Sequence, residues 1–334
     1  MYDVNAIRKH FPMLEKSMQG HPLVYLDNAA TSFKPRSVLD AIRSYYEDFT
    51  ANAHRGDYDI AHNVDVTIDE TRQLVADFIG ASKREIVFTS GASMSINMVA
   101  FGYGMKFLTA EDEILITQAE HASNVIPWFK VSEMTGAKIG YIPLDDEGRL
   151  TPENLKKVIS HRTKVVAVAH VTNVMGFIID FKAISEIAHA YGALVICDGA
   201  QSVPHIPTNV VDMGVDFLSF SGHKMLGPTG IGILYGRYEL LAKMDPFMTG
   251  GGMTTKFDMC GDVTYMQPPI KFEAGTPNIE GIIGLKAAVQ FLMDVGMENI
   301  QAYEHQLHTY AIEQLQKLDN ITIYNAHADS GIIT

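Results

Sequence analysis

The chain has 334 residues, 47% hydrophobic and 19% charged, with a net charge of −13. This is an ordinary globular composition with material for a large core, roughly two domains at about 150 residues each. The acidic balance argues against a non-specific nucleic-acid surface and against a basic membrane-binding face. The N-terminus MYDVNAIRKHFP lacks a signal-peptide core, and no apolar run approaches the roughly 18 residues of a membrane span. The two cysteines, Cys197 and Cys260, have neither zinc-ligand nor disulfide-framework spacing, so no metal site is expected and a cytoplasmic enzyme is the default class.

Taken in order, the elements alternate. Val38, Leu39, Ile42, Tyr45, Tyr46 and Phe49 recur at three and four residues and predict a helix face. A second helix fits 64–79, with Gly80 placed to end it. EIVFTS (85–90) reads as a strand and SMSINMVAFG (93–102) as a helix. DEILITQ (112–118) is a strand. Thr151-Pro152 starts a helix continued by LKKVI, since a capping hydroxyl followed by proline suits a first turn. KVVAVAH (164–170) is a strand, FKAISEIAHAYG (181–192) a helix, and ALVIC (193–197), VDFLSF (215–220) and IGILYG (231–236) are strands. GGGMTTKFDMCGDVTY (250–265) reads as an irregular loop. Two helical stretches, 281–296 and 297–318, and a strand-like ITIYN (321–325) complete the chain.

Strands alternating with helices predict an α/β fold with a mostly parallel central sheet flanked by helices. The expected division is an N-terminal segment 1–23, a large domain 24–280, and 281–334 as helices opening a smaller C-terminal domain. ITIYN and the final GIIT offer a strand with nothing left to pair, so the sequence reads as stopping inside that smaller domain.

In open α/β sheets, ligands bind beyond the carboxyl ends of the strands. EIVF is followed by Gly91, Ala92 and Ser93 at a helix start, where free amides and the helix dipole suit a phosphate. DEILIT leads to Glu120-His121, KVVAVA to His170 and Asn173, ALVIC to Asp198 and Gln201, and VDFLSF to Ser221, His223 and Lys224. Each residue alone has an ordinary reading, as a turn Asp, a loop His or a solvated Lys. Together they match pyridoxal phosphate, which needs a lysine for a Schiff base, a carboxylate facing the ring nitrogen, a phosphate site and a group stacked on the ring. No G-x-x-x-x-G-K-[ST], G-x-G-x-x-G or H-E-x-x-H motif competes.

YLDNAATSFKP (25–35), NAHRG (52–56), EHASNVIPW (120–128), HVTNVMG (170–176), DGAQS (198–202), SFSGHKMLGPTGIG (219–232) and FEAGTPN (272–278) carry a family resemblance. The chain resembles the class V aminotransferase-fold enzymes, and within them the Suf-type (group II) cysteine desulfurases and selenocysteine lyases. The resemblance implies a fold type I pyridoxal-phosphate enzyme that cleaves the C–S bond of L-cysteine to give L-alanine and a persulfide for iron–sulfur cluster assembly. It implies that Lys224 holds the cofactor and that His121 stacks on its ring. Asp198 would pair with the ring nitrogen and Gln201 with the ring oxygen. Ala92, Ser93, Ser221 and His223 would take the phosphate, and Asn173 would sit by the cofactor and the substrate. Ala29, Ala30, His54 and Arg55 would line the substrate pocket. Thr276 would reach the phosphate of a partner subunit, which implies a homodimer, and a sulfur-acceptor protein would be a further partner. Two departures stand out. Gly91-Ala92-Ser93-Met94 replaces the family's G-T-T-E, so Ala92 lacks a hydroxyl. The family's persulfide-forming cysteine and substrate-carboxylate arginine are expected beyond Thr334. A selenocysteine lyase acting on selenocysteine, a class V aminotransferase or epimerase without sulfur chemistry, and a non-catalytic binding protein of the same fold are the alternatives.

Overall fold

The computed structural model describes residues 3–53 and 56–334. Its centre is a seven-stranded sheet. In chain order the strands are β1 (Ile86–Thr89), β2 (Glu113–Ile116), β3 (Lys138–Tyr141), β4 (Thr163–Ala169), β5 (Leu194–Asp198), β6 (Phe217–Ser221) and β7 (Gly232–Gly236). In space they run β1-β7-β6-β5-β4-β2-β3. The pairs β6/β5, β5/β4, β4/β2 and β2/β3 are parallel, and β7 is antiparallel to both its neighbours. This is the α/β architecture that the alternating pattern predicts.

Covering helices explain why the central strands read as unbroken apolar runs. Side chains alternate across the pleat, so each strand feeds two cores. Val166 and Val168 of β4, Val195 of β5, and Leu218 and Phe220 of β6 face one core. There they meet helices α2 (Asp59–Ile79), α5 (Phe181–Ala190) and α6 (Ile279–Val295). Val165, Ala167, Ile196, Phe217 and Leu234 face the other, against α3 (Ala92–Val99) and α4 (Ile126–Thr135). A fully buried side chain of this size contributes about 1.5–3 kcal/mol, so these two layers dominate stability.

Local chemistry sets the helix ends. Gly80 closes α2 in the left-handed region at φ +70°, as the sequence predicts. The Asp180 carboxylate caps α5 by accepting from the Ala183 amide at 3.1 Å. Asn278 caps α6 in the same way through Gly281, at 3.0 Å. The helix predicted from Val38 onward is α1 (Arg36–Asp48), but its apolar face is narrower than expected. Val38 and Tyr45 are buried, while Leu39 and Tyr46 face solvent.

One strand goes unread in the sequence and two further expectations are corrected. The edge strand β3 has no apolar alternation to reveal it, because its terminal residues Lys138 and Tyr141 are exposed. Part of the 250–265 stretch is ordered as a hairpin, β8 (Thr254–Phe257) with β9 (Val263–Tyr265), with Cys260 at its exposed turn. ITIYN forms no strand. Its polar groups find other partners: the Tyr324 backbone amide donates to Thr334 O at 2.8 Å, and the Asn325 side chain donates through Nδ2 to Met175 O at 3.1 Å and Ile332 O at 2.9 Å. The boundary drawn at 280/281 falls inside α6, which packs on α1 and α2. Helix α7 (Met297–Leu315) follows it.

Candidate active site

The carboxyl ends of β4, β5 and β6 and the start of α3 surround a cavity of about 490 Å³. Ala92, Ser93, His121, Asn173, Asp198, Gln201, Ser221, His223 and Lys224 all line it, together with Ala29 and Ala30. Four predicted residues stand apart. Gly91 is not in the lining but turns the chain from β1 into α3 at φ +150°. Thr276 lies outside the cavity of its own chain, exposed, with its hydroxyl donating to Asn52 Oδ1 at 3.2 Å. His54 and Arg55 lie outside the described residues.

The loop that carries Lys224 is held beyond the carboxyl end of β6 because β6 and β7 are antiparallel neighbours. Parallel strands would need a long crossover, whereas this pair is joined by a short loop. That loop closes on itself through Gly222 N to Ile231 O and Gly227 N to Gly222 O, both 2.9 Å. Gly232 at the head of β7 must be glycine, since a Cβ there would overlap the Gly91 backbone.

The His223 carbonyl is a collecting point. It accepts from Thr31 Oγ1 (3.0 Å), Ser32 N (3.1 Å), Ser32 Oγ (3.2 Å) and Lys34 Nζ (2.9 Å). The Leu226 amide returns a bond to Ser32 Oγ at 2.9 Å. The segment YLDNAATSFKP therefore clamps the turn that presents Lys224, a role sequence reasoning missed. Burial lowers the Lys34 ammonium to about 8.

At the other strand ends, Asp198 Oδ1 accepts the Ala200 amide at 3.0 Å. Burial raises the Asp198 carboxyl, while the Ala200 amide and the charges of Lys224 and His121 pull it down. Burial lowers the Lys224 ammonium, opposed by Asp198. His223 is lowered by burial, then by the charges of Lys224 and Lys34. Gln201 Nε2 donates to Ala29 O at 2.8 Å and so fixes one wall of the cavity. The Ser123 amide donates to His121 Nδ1 at 3.2 Å, so the neutral imidazole carries its proton on Nε2.

At the α3 start the Ala92 amide donates to Ser221 Oγ at 2.8 Å, which leaves the Ser221 hydroxyl proton free to point elsewhere. Ser93 Oγ lies 2.6 Å from Ser123 Oγ. Ser123 and Asp27 also line the cavity and were not singled out from the sequence. Neither cysteine does: Cys197 is buried behind Asp198 and its thiol is pushed well above the usual range by burial, then by Asp198 and Glu120.

The model of the class-V aminotransferases matches residues 24–334. A probable cysteine desulfurase of Halalkalibacterium halodurans is 45% identical over 99% of this chain and 82% of its own length. A cysteine desulfurase of Haloferax volcanii is 42% identical over 98% of this chain and 80% of its own. Among solved structures, the cysteine desulfurase CsdA of Escherichia coli superposes with a TM-score of 0.92 at 36% identity, covering 100% of this chain and 82% of that one. The apo cysteine desulfurase of Thermococcus onnurineus gives a TM-score of 0.93 at 38% identity with the same coverage. On the motifs, the sheet order and this match over nearly its whole length, the chain belongs to the class-V aminotransferase family.

Proposed function

We propose that the chain is a pyridoxal-phosphate-dependent cysteine desulfurase, which takes sulfur from L-cysteine and leaves L-alanine. The observation that carries the reading is the single cavity that joins Lys224, Asp198 and His121 to the hydroxyl-rich start of α3. The donor set fits the cofactor. Its lining combines a buried carboxylate, a half-buried amine and two imidazoles with the amide and hydroxyl groups of the α3 start. Relatives named cysteine desulfurase at 42–45% identity support the substrate.

Bound pyridoxal phosphate supplies an electron sink for the pair released when a bond at the substrate α-carbon breaks. The protein's own groups would act around it. Asp198 would keep a proton on the ring nitrogen through a charge-assisted hydrogen bond. Burial of Lys224 raises its share of free amine, the form able to attack the cofactor aldehyde and then to carry a proton on Nζ. His121 would cover one face of the ring with Nε2–H directed outward. Gln201 would keep its second amide hydrogen for the ring oxygen. Ser221, with its lone pair used by the Ala92 amide, would donate its proton to the phosphate beside Ser93 and His223. Ala29, Ala30 and Asn173 would bound the amino-acid substrate, together with His54 and Arg55. Thr276 would serve the cavity of a second copy, and the sulfur would pass to an acceptor protein for iron–sulfur assembly. In this reading neither Cys197, which is buried, nor Cys260, which lies outside the cavity lining, would be the sulfur-accepting thiol.

The test is borohydride reduction of the protein loaded with pyridoxal phosphate, followed by peptide mapping. The label is expected on Lys224 and lost in Lys224→Ala. A label on another lysine would overturn the site. Loaded protein should release alanine from cysteine in the presence of a thiol acceptor. Transamination of a 2-oxo acid without alanine formation from cysteine would favour the aminotransferase alternative.

A further inference from the structure

We infer that Ser123 is a phosphate-binding residue, pairing with Ser93 to supply the hydroxyl that Ala92 lacks. The inference rests on the pyridoxal-phosphate reading of this cavity. The phosphate loop has lost a donor at Ala92, whose side chain is a methyl in the cavity wall. The Ala92 amide is already engaged by Ser221 Oγ. A second hydroxyl nevertheless reaches this end of the cavity, from the turn after β2 rather than from the loop itself. Ser123 lines the cavity and stands 2.6 Å, oxygen to oxygen, from Ser93.

Either hydroxyl can be the donor within the pair. The His121 Nδ1 lone pair accepts the Ser123 amide at 3.2 Å, and the Ser123 hydroxyl, 3.1 Å away, can reach it only as a second donor on that same lone pair. Of the two hydroxyl protons, one makes the Ser93–Ser123 bond. The other has no acceptor of its own beyond that shared Nδ1 lone pair, in a cavity also lined by Ser221 and His223. A phosphate oxygen, which only accepts, is the chemistry that uses a surplus donor. Ser123 thus links the group expected on the ring, His121, to the group expected on the phosphate, Ser93.

The experiment compares pyridoxal phosphate with pyridoxal, which lacks the phosphate, by absorbance titration of apo-protein prepared with hydroxylamine. Ser123→Ala should raise the Kd for pyridoxal phosphate about tenfold, the size of one lost hydrogen bond to a charged group, and leave the Kd for pyridoxal unchanged. Ser123→Thr, which keeps the hydroxyl, should stay within about twofold of the parent. Ser123→Ala and Ser93→Ala should be non-additive, because each breaks the same pair. Equal losses for both ligands would overturn the inference and leave Ser123 acting through His121 alone. Unchanged affinity in Ser123→Ala would overturn it while the cofactor reading stands. A parent protein that binds no pyridoxal phosphate at Lys224 would sink the reading and this inference with it.

Discussion

Glu120 sits next to His121 and holds its carboxylate between the Thr117 hydroxyl at 2.7 Å and the Asn124 amide at 2.8 Å. Burial raises it to about 7, partly offset by those two bonds. The folded pKa lies above the unfolded one, so the folded state holds the extra proton between about 4.5 and 7 and stability falls as pH rises through that window. At about 1.4 kcal/mol per pH unit the loss is at most about 3.5 kcal/mol. His170 works the other way. Burial lowers it to about 4, and its contribution is lost as pH falls from 6.5. Chemical denaturation of apo-protein at pH 5.5 and pH 8 separates the two. Glu120→Gln should lose less stability than the parent between these values, because the His170 contribution is common to both. An identical pH dependence would show that the Glu120 carboxyl is charged throughout.

Between elements, a buried ion pair joins α2 to β1 and to the segment that carries Thr276. Arg72 and Glu273 form a buried two-pronged pair at 2.7 and 2.8 Å. Arg72 also donates to Ile86 O at 2.7 Å and lies over the Phe88 ring, and Glu273 accepts the Phe88 amide at 2.9 Å. Breaking one side leaves an uncompensated buried charge. Arg72→Met should therefore cost about 3–5 kcal/mol, read as a lower urea midpoint with an unchanged slope. Arg72→Met combined with Glu273→Gln should recover part of that loss, since the orphaned charge is gone. Equal losses in the single and double variants would mean that packing of the Arg72 stem, rather than the ion pair, carries the effect. The same elements show where periodicity is legible: α2, buried along one stripe from Val64 to Ile79, was readable, whereas the half-exposed edge strand β3 was not.

For the molecule as a whole, Thr276 poses the main question, since its hydroxyl meets Asn52 at the surface and not its own cavity. We predict a homodimer in which Thr276 completes the cavity of the other copy. Light scattering on the eluting peak should give twice the chain mass. Thr276→Ala should weaken pyridoxal phosphate about tenfold, the size of one lost hydrogen bond to a charged group. Mixing Thr276→Ala with Lys224→Ala chains should then produce, in the hybrid, one cavity with both residues intact and parent affinity. A monomer of parent affinity would overturn the arrangement. No helix among the described residues is long and apolar enough to cross a membrane.

What the sequence by itself determined is the alternation of strands and helices and the set of groups that follows each strand. Both are local properties: a strand buried on both faces must be apolar throughout, and the chain can place polar groups only where the strand ends. Lys224, Asp198, His121 and Asn173 were legible for that reason, and the cavity brings all of them together. Only the tertiary structure decided which ends become neighbours. The antiparallel β7 fixes the short loop of Lys224, and packing lays 27–35 across the His223 carbonyl. It also sets Ser123, thirty residues from Ser93 in sequence, within hydrogen-bond reach of it. Contacts of this kind depend on strand order and on the register of one segment against another. Neither leaves a period in the chain, because the free energy that selects them comes from groups distant in sequence closing on one another.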